Sequence, residues 1–447
     1  MRIFLGALFA LVSCGGSTAV GVDGGPSIAD VRTSPASSLD LLLVIDDSGS
    51  MARNQALLAE QFDSFLDVLA NPPDSNGDGR PDYPAIRDLH IGVVSTDLGS
   101  KDGVLVDCPA RGDDGFLNPL RYGPASSSRG STGASGLRPS DCATFPPFLA
   151  FAPDRVVAPV AHDVLCNVAL SSFGCGIEQP LEAAYRAVVW RRADNRPDND
   201  GPNAGFLRED AQLAILVLSD EDDGSVRDCS YAERGSSTCV DATDVFDATS
   251  SAWAGSDINL RFYLDQPCSA QDPTWPLDRY VDPRQPGRGF PGLKPGHPER
   301  VMFAAITGVP LEMPTRGTGN GASTDWDALL GAPDPASPDD FCRRRSATAI
   351  TTTSREGPIS MRQANPDPQC PALRVVPACR GEGSRMADSC DVGRQYAAWP
   401  ARRLVEVARR FDESALCAGH PCHNGIVSSI CAGSFRGAMT SIGERIR

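Results

Sequence analysis

Histidine is scarce in this chain, with five among 447 residues, and none of them stands in a stretch that marks a general base. Basic charge is also in short supply: acidic residues outnumber Lys and Arg to a net charge of −16. That balance excludes duplex nucleic acid as a partner, because phosphate binding needs a basic surface. It fits solubility, or divalent cations as ligands. Long apolar runs are missing too. The longest near the start, Ile3 to Val12, is too short to span a bilayer. No internal repeat is visible. Helical runs are few while Pro (37) and Gly (43) are plentiful, so much of a chain too long for one ordinary core is expected to be loop.

Cysteine is abundant instead. There are 15, and setting Cys14 aside leaves an even number, as expected of disulfides formed in an oxidising compartment. Cys166 with Cys175 and Cys229 with Cys239 are spaced to close short loops. The start of the chain agrees with export. Arg2 precedes the apolar run, and Leu11-Val12-Ser13-Cys14 resembles a bacterial lipoprotein signal, which implies cleavage before Cys14 and lipid on its thiol. Gly15, not Asp, follows, which in that sorting rule implies the outer membrane. A plain secretory signal with a chance Cys, and hence a secreted protein, is the alternative. Residues 1–13 are therefore expected to be signal, 14–38 a small, polar, flexible tether, and 39–447 the folded body, with the membrane reached through the lipid alone.

The body alternates strand and helix. Leu41 to Ile45 is a continuous apolar run, as for a strand covered on both faces, and Leu89 to Asp97, the buried run ending in Leu216-Val217-Leu218, and Val301 to Val309 are read as further strands. Leu57, Leu58, Phe62, Phe65, Leu66 and Leu69 form one helical stripe, and Leu181, Ala184, Tyr185 and Val188 another. The segment Arg402 to Phe411 and the last segment, with Phe435, Met439, Ile442 and Ile446, complete the helices. The expectation is an α/β fold with a doubly wound, mostly parallel sheet, carrying disulfide-pinned insertions at about 100–160, 225–300 and 312–398.

The first apolar strand ends in Asp46-Asp47-Ser48-Gly49-Ser50. In an open parallel sheet, ligands bind at the carboxyl ends of the strands. Alternate residues of a tight turn there present one carboxylate and two hydroxyls, an oxygen set suited to Mg²⁺, Mn²⁺ or Ca²⁺. The pattern resembles the metal-ion-dependent adhesion site of von Willebrand factor type A domains, in which Asp-x-Ser-x-Ser is followed by a distant Thr and a distant Asp. The resemblance covers the alternating core and maps the distant Asp to Asp220. It puts Cys175 where the Thr belongs, so the resemblance implies fewer protein ligands, a degraded site, or Glu178 as substitute ligand. It also implies a partner, a protein or an acidic ligand, bound through the metal. The other reading of Asp46 and the serines is a cap for the following helix.

A second stretch, Asp74, Asn76, Asp78 and Asp82 with Gly79 between, has the alternate oxygen spacing of a calcium loop; its position twelve is Ala85, so it is not an EF-hand but resembles the shorter loops of thrombospondin-type repeats. A solvated turn is the alternative. Cys417, His420, Cys422 and His423 have zinc-like types but not a standard zinc spacing, and are expected in disulfide chemistry instead. Asp47-Ser48-Gly49-Ser50 is not a nucleophile elbow. The sequence thus points to a non-enzymatic envelope protein that binds through a metal ion. A structural envelope subunit, or a hydrolase with its site in the insertions, are the other classes.

Overall fold

The computed structural model describes residues 38–74, 77–99, 112–117, 146–151, 167, 168, 170, 174–189, 203–226, 274–282, 289–317, 323–330, 378–380, 397–417 and 419–445. Cys14, Asn76, Cys166, Cys229, Cys239, the signal, the tether up to residue 37 and most of the three insertions lie outside these residues; Ser38, expected as the tether's last residue, opens the first strand.

The core is a six-stranded sheet of β1 (Ser38–Ile45), β2 (Asp88–Ser95), β3 (Leu149–Phe151), β4 (Gln212–Leu218), β5 (Val301–Thr307) and β6 (Gly425–Ser429) in the order β6-β5-β4-β1-β2-β3. All neighbours are parallel except the short edge strand β3, which runs antiparallel to β2. The order reverses between β1 and β4, which is the switch point of a doubly wound sheet. The expected α/β class and mostly parallel sheet are thus observed. β3 and β6 had no apolar run to announce them.

Strand alternation assigns the two faces. Leu39, Leu41, Leu43 and Ile45 pack with Phe62, Phe65 and Leu66 of α1 (Ala52–Ala70) and with Met439 and Ile442 near the end of the chain, on α4 (Arg436–Arg445). Leu42 and Val44 pack on the other face with Leu181 and Ala184 of α2 (Pro180–Val188) and Leu404 and Ala408 of α3 (Arg402–Glu413). Phe303 of β5 stacks on Phe411 of α3, centroids 5.8 Å apart. Full coverage explains why β1, β4 and β5 read as unbroken apolar runs.

At the amino end of β1 a buried carboxylate, Asp40, is matched by cations. Arg208 donates from its backbone N and its Nε, each 2.8 Å from an Asp40 oxygen, and Lys294 Nζ lies 3.8 Å away. The described part of the 225–300 insertion is fastened by charge; the cysteines of that insertion lie outside the described residues. Arg279 pairs with Glu182 of α2 at 2.9 Å, and its guanidinium lies 4.0 Å from the Tyr185 ring centre and 3.9 Å from that of Trp275. The 312–398 insertion is disulfide-pinned in its described part: Cys379 is bonded to Cys431, just past β6. Cys417 is bonded to Cys422, so both are in a disulfide, as expected of these cysteines. Among the described residues no helix is long and apolar enough to cross a membrane.

Candidate metal centre

β1, β2 and β4 end level with one another. Ile45 stands opposite Ser95 on one side and Leu218 on the other, and the backbone bonding continues one step further: Asp46 N donates to Leu218 O at 3.0 Å and Thr96 N to Ile45 O at 3.1 Å. Asp46, Thr96 and Ser219 therefore sit in a row across the switch point. This register brings the Ser219 hydroxyl to Asp46 Oδ2 at 2.7 Å.

The turn after β1 folds around Asp46. Its Oδ1 accepts the Ser48 N–H at 2.8 Å, and Gln55 Nε2 on α1 holds its carbonyl at 2.8 Å. The two serine hydroxyls are 3.1 Å apart, and Ser50 Oγ donates to Asp220 Oδ1 at 3.1 Å. Asp46, Ser48, Ser50 and Asp220 thus form one connected oxygen cluster, although Asp220 is distant in sequence. They do not cap α1: its N-cap is Met51, with no side-chain cap bond. The capping reading of this turn is set aside.

Glu178 joins the cluster from the loop before α2. Its backbone is pinned, with its carbonyl accepting Gly224 N–H at 2.7 Å. Its Oε2 accepts the Thr96 hydroxyl. Cys175, in the position that the resemblance reserves for Thr, is fully buried and disulfide-bonded, so it offers no hydroxyl.

Asp46, Glu178 and Asp220 are almost fully buried, with 0%, 2% and 4% exposure. Burial is the largest force on each and pushes all three carboxyls above the ordinary range, Glu178 and Asp220 strongly. The next largest forces on Glu178 are the charges of Asp46, Glu221 and Asp47, all of one sign. Asp220 likewise feels Asp46. Among the described residues, the hydrogen-bond donors to these three carboxylates are hydroxyls and backbone N–H groups, all neutral. Like-charged carboxylates in a dry site need a proton or a cation to coexist.

The last two carboxylates of the stretch after β4, Asp222 and Asp223, do other work. Asp222 receives Arg403 N at 2.9 Å, at the start of α3; Asp223 receives Leu181 N at 3.0 Å, at the start of α2. Each accepts a first-turn N–H of a helix from another part of the chain, and Arg403 Nε pairs with Asp223 at 2.9 Å. Burial pushes the Asp222 carboxyl up to about 7, opposed by N–H donors from Asp223 and Arg403 and by the Arg403 charge.

Asp47 points to a separate group. Its carboxylate lies with those of Asp97 and Asp113, with one ligand atom from each within 4.8 Å of the others. Ser95 Oγ donates to Asp113 at 2.5 Å and Gly99 N to Asp97 at 2.8 Å. A Cβ at position 174 would lie 2.3 Å from the Asp47 carboxyl carbon, so only glycine fits the chain there.

At the calcium-loop stretch, Asp74 accepts backbone N–H groups from Asp78 (3.1 Å) and Gly79 (2.8 Å), and the turn closes through Asp82 N to Pro73 O at 2.7 Å. Gly79 has φ +81°, the left-handed conformation its place in the spacing requires. Those contacts suit an ion loop and a plain polar turn equally.

Thr96 and Ser219 carried the signal that sequence reasoning missed. Both stand one residue past an apolar strand, the same offset as Asp46, and equal offsets on adjacent parallel strands meet. Comparison with known protein families and with curated proteins finds no match for this chain.

Proposed function

We propose that this chain is an exported binding protein whose partner, a protein or other ligand, is engaged through a divalent cation at Asp46, Ser48, Ser50 and Asp220. The observation that carries the reading is the convergence of buried, like-charged carboxylates and two hydroxyls at the switch point, with only neutral donors among the described residues. Such a set costs stability without a cation and becomes favourable with one. The strand order with an antiparallel edge, and the turn residues in their places, support a fold like that of von Willebrand factor type A domains. An oxygen-only ligand set suits Mg²⁺, Mn²⁺ or Ca²⁺.

Two disulfides among the described residues are compatible with an oxidising compartment and so with an envelope location. Lipid on Cys14 is the proposed anchor. Cys14→Ser should then move the protein from the membrane to the soluble fraction; unchanged retention would remove the lipid from the account.

The central test is calorimetric. Mg²⁺ and Mn²⁺ are titrated into the parent and into Asp46→Ala, with Asp78→Ala in both to silence the 74–82 loop. Heat in the parent and none in the variant is expected, with both proteins folded by circular dichroism. Equal heats in the two would refute the reading.

A further inference from the structure

The Glu178 carboxyl has two different oxygens. Oε2 is held by the Thr96 hydroxyl, whereas Oε1 is buried and receives no hydrogen bond from the described residues. The residue is 2% exposed, so water does not serve it from bulk. The Glu178 and Asp46 carboxyls lie within hydrogen-bonding reach of each other. Both are acceptors when ionised, so what lies between them is either a shared proton or a cation.

The neighbours favour the cation. Asp46 already has a donor on each oxygen, from Ser48 N and Ser219 Oγ, and Asp220 has Ser50. A single shared proton would neutralise one carboxylate of this set and leave the remainder crowded in a dry site. A divalent ion would balance two charges and use the unserved Oε1 as a ligand.

We propose that Glu178 is a direct ligand of the cation held by Asp46, Ser48, Ser50 and Asp220, that Thr96 is its positioning residue, and that this third carboxylate makes the centre selective for Ca²⁺ over Mg²⁺. The proposal rests on the reading in the preceding subsection. Its selectivity follows from coordination. Mg²⁺ keeps several waters and is usually held by one or two carboxylates, whereas Ca²⁺ takes six to eight oxygens in flexible geometry, with carboxylates binding through one oxygen or both. Three buried carboxylates and two hydroxyls give a crowded, oxygen-rich set with little room for the waters that Mg²⁺ retains.

The test uses the full-length protein with Asp78→Ala as the common background, and compares it with Glu178→Gln, Thr96→Val and Asp46→Asn. Each is melted in chelator and then titrated with CaCl₂ and with MgCl₂. The background is expected to bind Ca²⁺ at least tenfold more tightly than Mg²⁺. Glu178→Gln should weaken Ca²⁺ at least tenfold and narrow the gap to Mg²⁺, while raising the melting temperature of the metal-free protein by relieving like-charge repulsion. A residue with only a structural role would lower that temperature. Thr96→Val should weaken Ca²⁺ by a few fold at unchanged stoichiometry. Ca²⁺ binding that survives Glu178→Gln but is lost in Asp46→Asn overturns the role of Glu178 and leaves the metal centre standing. No binding by the background protein overturns both. Should Glu178→Gln fail to fold, Thr96→Val decides, and an unchanged Ca²⁺ to Mg²⁺ ratio there overturns the proposal.

Discussion

Replacing Arg403 by Met should cost more stability than any surface change, and should cost less when Asp223 is replaced as well. Arg403 is buried, and all three nitrogens of its guanidinium are engaged: Nε with Asp223 Oδ2 at 2.9 Å, Nη1 with Thr274 Oγ1 at 3.0 Å and Nη2 with Trp275 O at 2.7 Å. The other Asp223 oxygen accepts Leu181 N at 3.0 Å and Ser225 Oγ at 2.6 Å. Removing one member of a buried pair strands the other, which costs about 3–5 kcal/mol. At about 2–4 °C per kcal/mol for a domain of moderate size, the melting temperature should fall by roughly 6–20 °C. Asp223→Leu alone should cost a similar amount. The double variant removes both charges and should recover most of the loss, leaving on the order of 1 kcal/mol for the missing acceptor at the start of α2. The four proteins form a double-mutant cycle read by urea denaturation monitored with circular dichroism. Losses that simply add in the double variant would mean that the two charges do not meet. The consequence reaches the site, because α2 begins at Pro180, close behind Glu178.

Three further outcomes are expected. Glu406 on α3 is buried, which by itself would raise its pKa, but hydrogen bonds and charge from Arg409 and Arg410 outweigh burial and hold it below the ordinary value; Glu406→Gln should cost about 3 kcal/mol at neutral pH. Because the folded state favours the ionised form, that contribution is present above the unfolded pKa and fades as pH falls through the folded one, so parent and variant should converge in acid denaturation series. Gly425→Ala would place a Cβ 1.7 Å from the Ala408 carbonyl oxygen, so β6 and α3 must part; a loss of about 2 kcal/mol or more in thermal unfolding is expected. Asp78→Ala should remove the calcium-induced rise in melting temperature that the 74–82 loop supplies, worth about 2.7 kcal/mol at a hundredfold excess of Ca²⁺ over Kd; an identical rise in both proteins would leave that loop a plain turn.

The covered strands were legible because burial on both faces writes itself as unbroken apolar runs, and β1, β4 and β5 were visible for that reason. The 3.6-residue stripe did the same for α1. The turn from Asp46 to Ser50 was legible because its oxygens are local. Asp220 was reached through the resemblance and by its place at the end of a second such strand. What was hidden depends on register and on tertiary partners. Thr96 matters because β2 lies beside β1, and no local pattern says which strands are neighbours. Asp222 and Asp223 look in sequence like more of the acidic edge seen at Asp220, yet each is spent on a helix start contributed by another part of the chain. β6 is short and includes Ser428 and Ser429, and the edge of a sheet needs no continuous apolar run. The clamp of Arg279 on Glu182, Tyr185 and Trp275 joins residues far apart in sequence, and nothing near Arg279 signals it.

The two ends of β1 provide an internal comparison. At the amino end Asp40 is buried and answered by Arg208 and Lys294; at the carboxyl end Asp46 is buried and faces Glu178 and lies near Asp220, with hydroxyl and N–H donors only. One strand therefore carries a carboxylate balanced by protein cations and another that the described hydrogen bonds leave unbalanced in charge. An ion that balances the second should stabilise only the elements that meet there. Amide hydrogen exchange with and without Ca²⁺ reads this directly. Protection should rise at the turn from Asp46 to Met51, at Thr96 to Leu98 and at Glu178 to Leu181, all within reach of the cluster. Residues around Asp40, Arg208 and Lys294 should exchange at the same rate in both conditions unless they open only by global unfolding. The increase is bounded by RT ln(1 + [L]/Kd), about 4 kcal/mol at a thousandfold excess of ion. Protection that rises equally at both ends would mean that Ca²⁺ stabilises the whole body from some other place, and the comparison between Asp40 and Asp46 would lose its meaning.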